Sequence, residues 1–242
     1  MAFNTAKNII VGASPLFLSA TDSTQGDAYT ENMEPNGGEG VAFEAGKSYT
    51  DTLNDSTDFR NVGYTNNGLQ ITYNPTYGSV TVDQLLDTAK LFKESMEVMI
   101  ATEMTEGTLE NVLAVFGQAG TNSYAGELKA NKTLTTESGF VAGTPGKTKT
   151  LGLAAGALGV APVERQLVAV GQAPTTTAAD GTNNVTTERV YYARRVLSVQ
   201  QSQFSLARNN PTTFPVTFRL LPDGRTAYAG QEYGKIIDRI LA

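Results

Sequence analysis

Three stretches carry residue types that do chemistry elsewhere, and each fails on spacing. "GTPGKT" at residues 143–148 offers the Gly, Lys and Thr of a phosphate loop. There, backbone N–H groups cradle phosphate oxygens while Lys and Thr reach the terminal phosphate and its Mg²⁺. The pattern needs a glycine five residues before Gly146, where Val141 stands, and the following "KTLGLAAG" is Gly-broken and strand-like. A flexible loop is expected. "GLAAGALG" at 152–159 lacks both the G-x-G-x-x-G spacing and a strand–turn–helix frame, so it reads as a close-packed strand or turn. "DTLNDSTD" at 51–58 scatters oxygen ligands without the alternating acids, central glycine and terminal Glu of a calcium loop, and reads as a solvated acidic loop. Glu97 and Glu103 fall on the polar side of an alternating strand, and Arg194-Arg195 is too small for a nucleic-acid patch.

Composition narrows the chemistry further. The 242 residues include no His and no Cys. A Ser/His/Asp triad, a His proton shuttle, thiolate chemistry and Cys- or His-ligated zinc are therefore excluded. With net charge −6, tight DNA binding is not expected, because affinity for phosphates comes from cationic side chains. No catalytic residue, cofactor site or metal site is expected.

The elements that would position any site read as mainly β. Gly, Pro, Thr and Asn are plentiful and favour turns and strands. The apolar run "IIVGASPLFLSA" is broken by Pro15 and follows a single Lys7, so it reads as a first strand and not a signal peptide. No segment approaches the about 20 apolar residues that span a bilayer, so no membrane insertion is expected. Residues 22–58 lose periodicity and read as either a disordered insert or a polar arm whose partner lies outside the chain's own core. Its acids Asp22, Asp27, Glu31, Glu34, Glu39, Glu44, Asp51, Asp55 and Asp58 face a single Lys47.

"DFRNVGYTNNGLQITYN" at 58–74 predicts a hairpin turning at Asn67-Gly68. Val62, Tyr64, Leu69, Ile71 and Tyr73 would share an apolar face, and Asn61, Thr65, Gln70, Thr72 and Asn74 a polar one. Residues 79–85 read as a further strand, 87–95 as strand or short helix, and Met96, Val98, Ile100, Thr102 and Met104 as one alternating face. One helix is expected at 108–116, capped by Thr108 and closed by Gly117. Loop excursions are expected at 118–150 and 174–187, with strands at 151–155, 165–170, 189–199 and 214–221. From Glu188 onward eight cations, including Arg194, Arg195, Arg219 and Arg225, oppose four acids.

"FRNVGYTNNGLQITYN", then "VTVDQ", an alternating strand and "TLENVLAVFG" resemble the major tail tube proteins of long, non-contractile phage tails. Phe59, Val62, Gly63, Tyr64, Thr65, Gly68, Val82, Asp83 and Gln84 carry the match. "TERVYYARRVLSV", "TTFPVTFRLLPD" and "GKIIDRI" look like that family's last strands and terminal segment, while 118–150 and 174–187 have no counterpart. The resemblance implies one domain over 1–242, with two antiparallel sheets packed as a sandwich or partial barrel beside a short helix and a long arm. It implies a structural, non-enzymatic virion protein, assembled in the host cytoplasm into stacked hexameric rings that form the tail tube. Its partners would be copies of itself, tape-measure, tail-tip and tail-terminator proteins, and double-stranded DNA in transit.

On this reading the polar face at Asn61, Thr65, Gln70, Thr72 and Asn74 lines the lumen. The arm acids would either dock on the basic surface of Arg194, Arg195, Arg219 and Arg225 in an adjacent ring, with charge steering assembly, or lie on the lumen instead. The rival expectations are a monomeric or trimeric β-sandwich that binds or decorates a virion, and a carboxylate-dependent hydrolase, which no motif supports.

Overall fold

A strand turns alternate side chains to opposite faces, so a sheet with apolar residues on both sides of its strands needs cover on both. This chain meets that requirement over its central strands. The computed structural model describes residues 10, 12–19, 33–35, 40–84, 87–117, 134–136, 145–146, 148–153, 163–174, 176–177, 184–199, 202–206, 208–209 and 211–241. The elements run β1 (Leu16–Ser19), α1 (Tyr49–Asp55), β2 (Phe59–Asn61), β3 (Thr65–Thr81), β4 (Thr88–Met104), α2 (Leu109–Val115), β5 (Leu134–Thr136), β6 (Lys149–Leu151), β7 (Arg165–Gln172), β8 (Thr176–Thr177), β9 (Asn184–Ser198), β10 (Phe214–Leu220) and β11 (Gly234–Leu241). The fold is mainly β.

Nine strands form one hydrogen-bonded antiparallel sheet along the path β2-β1-β7-β9-β10-β4-β3, with β8 and β11 also on β9, while β5 and β6 pair separately. β9 is its spine. One edge of β9 carries β7. The other is divided: β11 takes residues Thr186 to Ala193, and β10 takes Val196 to Ser198. The sheet therefore forks at Arg194-Arg195. β3 comes back to share a cavity with Gly171 and Gln172 of β7 and Tyr191 of β9, none of which it pairs with, so the sheet curls into a sandwich-like shape.

Alternation assigns the two apolar clusters. Leu16, Leu18, Leu167, Ala169, Val98, Ile100, Phe214, Val216, Phe218 and Leu220 enter the larger one, which α2 plugs with Leu113, Ala114 and Val115. Phe17, Val168, Val170, Val190 and Tyr192 point the other way, where Met33, Tyr49, Leu53 and Phe59 cover them. A register shift opposite Arg165–Leu167 inserts one extra residue into β9, which keeps both Ala193 and Val196 on the larger cluster's face. Each such fully buried aliphatic or aromatic side chain contributes about 1.5–3 kcal/mol of transfer free energy.

Several expectations hold. Thr108 caps α2 through its Oγ1, which accepts the Asn111 N–H, and Gly117 follows it at φ 62°. Met96 to Met104 alternate as expected. Pro215 stands near the start of β10, where among the described residues β4 alone pairs with it. Residues 87–95 resolve as strand, mostly within β4.

Other expectations are corrected. The chain does not turn back at Asn67-Gly68. Both residues adopt the positive φ of a turn, 61° and 66°. They do so inside β3, as a bulge between the pairs Asn66↔Glu103 and Gln70↔Ala101. β3 then continues to Thr81, so 79–85 is not a separate strand, and the hairpin turns between Thr81 and Thr88. The tertiary pairing with β4 outweighs the local turn signal.

The arm at 22–58 is also not featureless where it is described. Ser48 accepts the Thr50 N–H and caps α1, whose Tyr49 and Leu53 are fully buried. The 174–187 excursion contains β8 and the first residues of β9, and 118–150 contains β5 and the first residues of β6.

Candidate assembly surface

Residues 61–70 enter the long hairpin through two pinned irregularities. At the first, Gly63 adopts φ +83°, and a Cβ there would lie 2.0 Å from the Glu106 Cδ. Glu106 fills that space because its Oε1 accepts the Tyr64 N–H at 3.1 Å. The Tyr64 carbonyl in turn accepts from Thr105 N and Oγ1 at 2.9 and 2.8 Å. The glycine and tyrosine of the "GYT" motif thus form a rigid corner that displays the Tyr64 ring at 81% exposure. The ring therefore lies outside the core, against the expectation from the apolar alternation.

At the second irregularity, residues 67–69 stand opposite Thr102 alone. Glu103 clamps the bulge by accepting from Asn67 Nδ2 at 2.7 Å and Asn66 Nδ2 at 3.2 Å. Thr102 Oγ1 donates to the Gly68 carbonyl at 2.9 Å.

Opposed residues of an antiparallel pair point to the same side. Past the bulge, Gln70, Thr72 and Asn74 therefore share the outward face with Ala101, Met99 and Glu97. Three of the five residues expected on one polar face do share it. Asn61 lies on β2 instead, and Thr65 pairs with buried Met104 on the core side. Ile71, Tyr73, Pro75 and Tyr77 continue the core side with Ile100, Val98, Met96 and Lys93, and Leu91 joins them opposite Ser79.

This core-side stripe outruns the core. Tyr73, Tyr77 and Leu91 are 66%, 58% and 64% exposed, because within this chain nothing described packs over the outer hairpin. On its opposite face Gly78 leaves room for Phe92 and Glu94, whose side-chain atoms a Cβ would meet at 2.6 and 2.4 Å. At the fork, the same stripe opens into a groove of about 240 Å³ lined by Ile71, Tyr73, Val98, Tyr191, Tyr233 and Ile236. The outer edges of β3 and β11 take no strand partner among the described residues.

Most of the described charged residues singled out in the sequence pair within the chain. Glu34 is held by Arg194 Nη1 at 2.7 Å and by Lys235. Glu188, not singled out, accepts from Ser48 Oγ and Tyr49 N and pairs with Arg239 Nη1 at 3.1 Å. Arg239 also donates to the Glu44 and Lys47 carbonyls. Glu44 and Asp55 bracket Lys47, and Asp51 sits in the first turn of α1. The described part of the arm thus docks on the basic last third of its own chain. Asp22, Asp27, Glu31 and Glu39 lie outside the described residues.

Nor do the four arginines form an open basic surface. Arg194 is buried between Glu34 and the Tyr228 ring, 3.6 Å from its centroid. Arg195 forks onto Glu164 at 2.6 and 2.7 Å. Arg225 pairs with Asp223 at 2.6 Å, and Arg219 approaches Glu97 at 3.7 Å.

Burial tunes several of these groups. It pushes the Tyr49 and Tyr192 phenols well above their ordinary range, so both remain neutral hydrogen-bonding groups. Burial also lowers the Arg60 guanidinium from its ordinary value, against the neighbouring Glu110.

The chemical motifs gain nothing from the fold. Residues 51–55 of "DTLNDSTD" are helical, which removes the calcium-loop geometry. Of "GTPGKT", residues 145, 146 and 148 are described, with 145 and 146 in an exposed turn, and of "GLAAGALG" only 152 and 153. Among the described residues no group of three or more acids is placed to hold a metal ion. None of their helices is long and apolar enough to cross a membrane. No protein-family model matches the chain, and no curated protein matches it.

Proposed function

We propose that this chain is a structural subunit that polymerises as stacked hexameric rings into a phage tail tube, a conduit for DNA. The observation that carries this is the outer half of the β3–β4 hairpin, with its uncovered stripe of Tyr73, Tyr77 and Leu91 beside the edges of β3 and β11, which take no strand partner among the described residues. Contiguous exposed apolar surface and open edges are liabilities in a monomer and contact surfaces in an assembly. A heterologous contact between copies closes into a ring when its rotation permits.

The stripe would face a neighbouring copy, leaving Gln70, Thr72 and Asn74 on a wetted wall with Glu97 and Glu103. An acidic chain of net charge −6 suits a wall that repels phosphates and does not retain them. The protein would reside in the virion tail, be assembled in the host cytoplasm and meet tape-measure, tail-tip and tail-terminator proteins. Its role would be non-enzymatic.

The groove of about 240 Å³ at the fork favours a second reading, a monomeric or trimeric binding or decorating module. Negative-stain microscopy with sedimentation velocity separates the two. Hollow tubes or rings support the tail-tube reading, and dispersed particles under all assembly conditions overturn it.

A further inference from the structure

We propose that Asn67 is a site of spontaneous deamidation and that Glu103 sets its rate. Asn67-Gly68 lies in the exposed bulge of β3, where the ladder skips from Asn66 to Gln70. Next to the reactive carboxamide is a glycine, which has no side chain to hinder attack by its own peptide nitrogen, and a Cβ built there would meet nothing within 4 Å. Among the described residues, the hydrogen bond from Nδ2 to Glu103 Oε1 at 2.7 Å is the one anchor of the Asn67 carboxamide.

The reaction needs only water. The Gly68 backbone nitrogen loses its proton and attacks Asn67 Cγ. The new N–Cγ bond closes a five-membered imide while the Cγ–Nδ2 bond breaks, and ammonia leaves with that proton. Water then adds to one imide carbonyl and opens the ring to aspartate or isoaspartate. No electrons are exchanged.

Glu103 opposes the first step twice. Its hydrogen bond fixes the carboxamide, and its negative charge disfavours the amide anion that must form beside it. Conversion replaces a donor with a carboxylate facing Glu103, so the clamp on the bulge is lost and like charges meet in its place. The isoaspartate form also adds an atom to the backbone of β3.

The test holds the purified protein in mildly alkaline buffer and follows the tryptic peptide 61–90 by mass. This peptide contains Asn67-Gly68, and peptide 8–47 contains the chain's other Asn-Gly, at Asn36-Gly37, as an internal clock. The expected result is a gain of about one dalton at Asn67 that is several-fold faster in Glu103→Ala and Glu103→Gln than in the native chain, with peptide 8–47 unchanged. Circular dichroism confirms which variants are folded, and Glu103→Gln carries the test if Glu103→Ala is not. Asn67→Gln abolishes the gain and so locates it. Equal rates in the native chain and the folded Glu103 variants, or no gain at Asn67 in any of them, overturn the proposal.

Discussion

The Glu188 carboxylate accepts the backbone N–H of Tyr49 at 3.0 Å, joining the first residue of α1 to the middle of the sheet across 139 positions. The same carboxylate pairs with Arg239 of β11. One buried acid therefore ties a helix N-terminus, the spine strand and the final strand together. Removing one member of a buried pair strands the other, which costs about 3–5 kcal/mol. Glu188→Ala should lower stability by that order in urea denaturation and expose residues 40–58 to limited proteolysis before the sheet unfolds.

Gly63→Ala should cost about 1–3 kcal/mol, since it places a Cβ at φ +83° and against the Glu106 side chain. Adding Glu106→Ala removes the collision but not the backbone strain. A double-mutant cycle by chemical denaturation should therefore show partial relief, and strict additivity would contradict the geometry.

Acid should weaken the fold through Asp223. Burial alone would raise its carboxyl, but hydrogen bonds from the Arg225 guanidinium and backbone, with the charges of Arg225 and Arg195, hold it below its ordinary range. Between the ordinary aspartate value of about 3.9 and that lower value, the unfolded chain binds the proton and the folded chain does not. The stabilisation is therefore complete above the unfolded value and is lost as pH falls through the folded one. Asp223→Asn should flatten this part of the Tm-against-pH curve.

Leu91→Glu should leave the isolated subunit within about 0.5 kcal/mol of native stability, because Leu91 is already in water. On the proposed function the same change abolishes rings and tubes in negative stain. Intact tubes from this variant would show that the stripe is not a contact surface.

The extent to which the sequence disclosed this fold follows the range of the forces involved. The α2 cap and the Met96–Met104 alternation are local patterns, and both are readable in the sequence. At Asn67-Gly68 the turn signal is local, but only the distant β4 decides between turn and bulge. Helix α1 was missed because seven polar-rich residues give no full apolar stripe, and Glu188 anchors them from far along the chain. The pairings of Glu34 and Arg195 also depend on long-range geometry. The exposed stripe left one sign, the alternation running on from Tyr73 to Pro75 and Tyr77, past the end of the predicted hairpin.

The position of β1 has a further consequence, for the order of folding. β1 sits between β2 and β7, and Leu16 pairs with Ala169 across about 150 residues of chain. The β3–β4 hairpin closes locally and is complete once Met104 has emerged from the ribosome, whereas β1 must wait for β7 before both its edges are satisfied. During synthesis the nascent chain thus presents a finished hairpin beside an unfinished sheet, and closure of the sheet around β1 is the slow, late event.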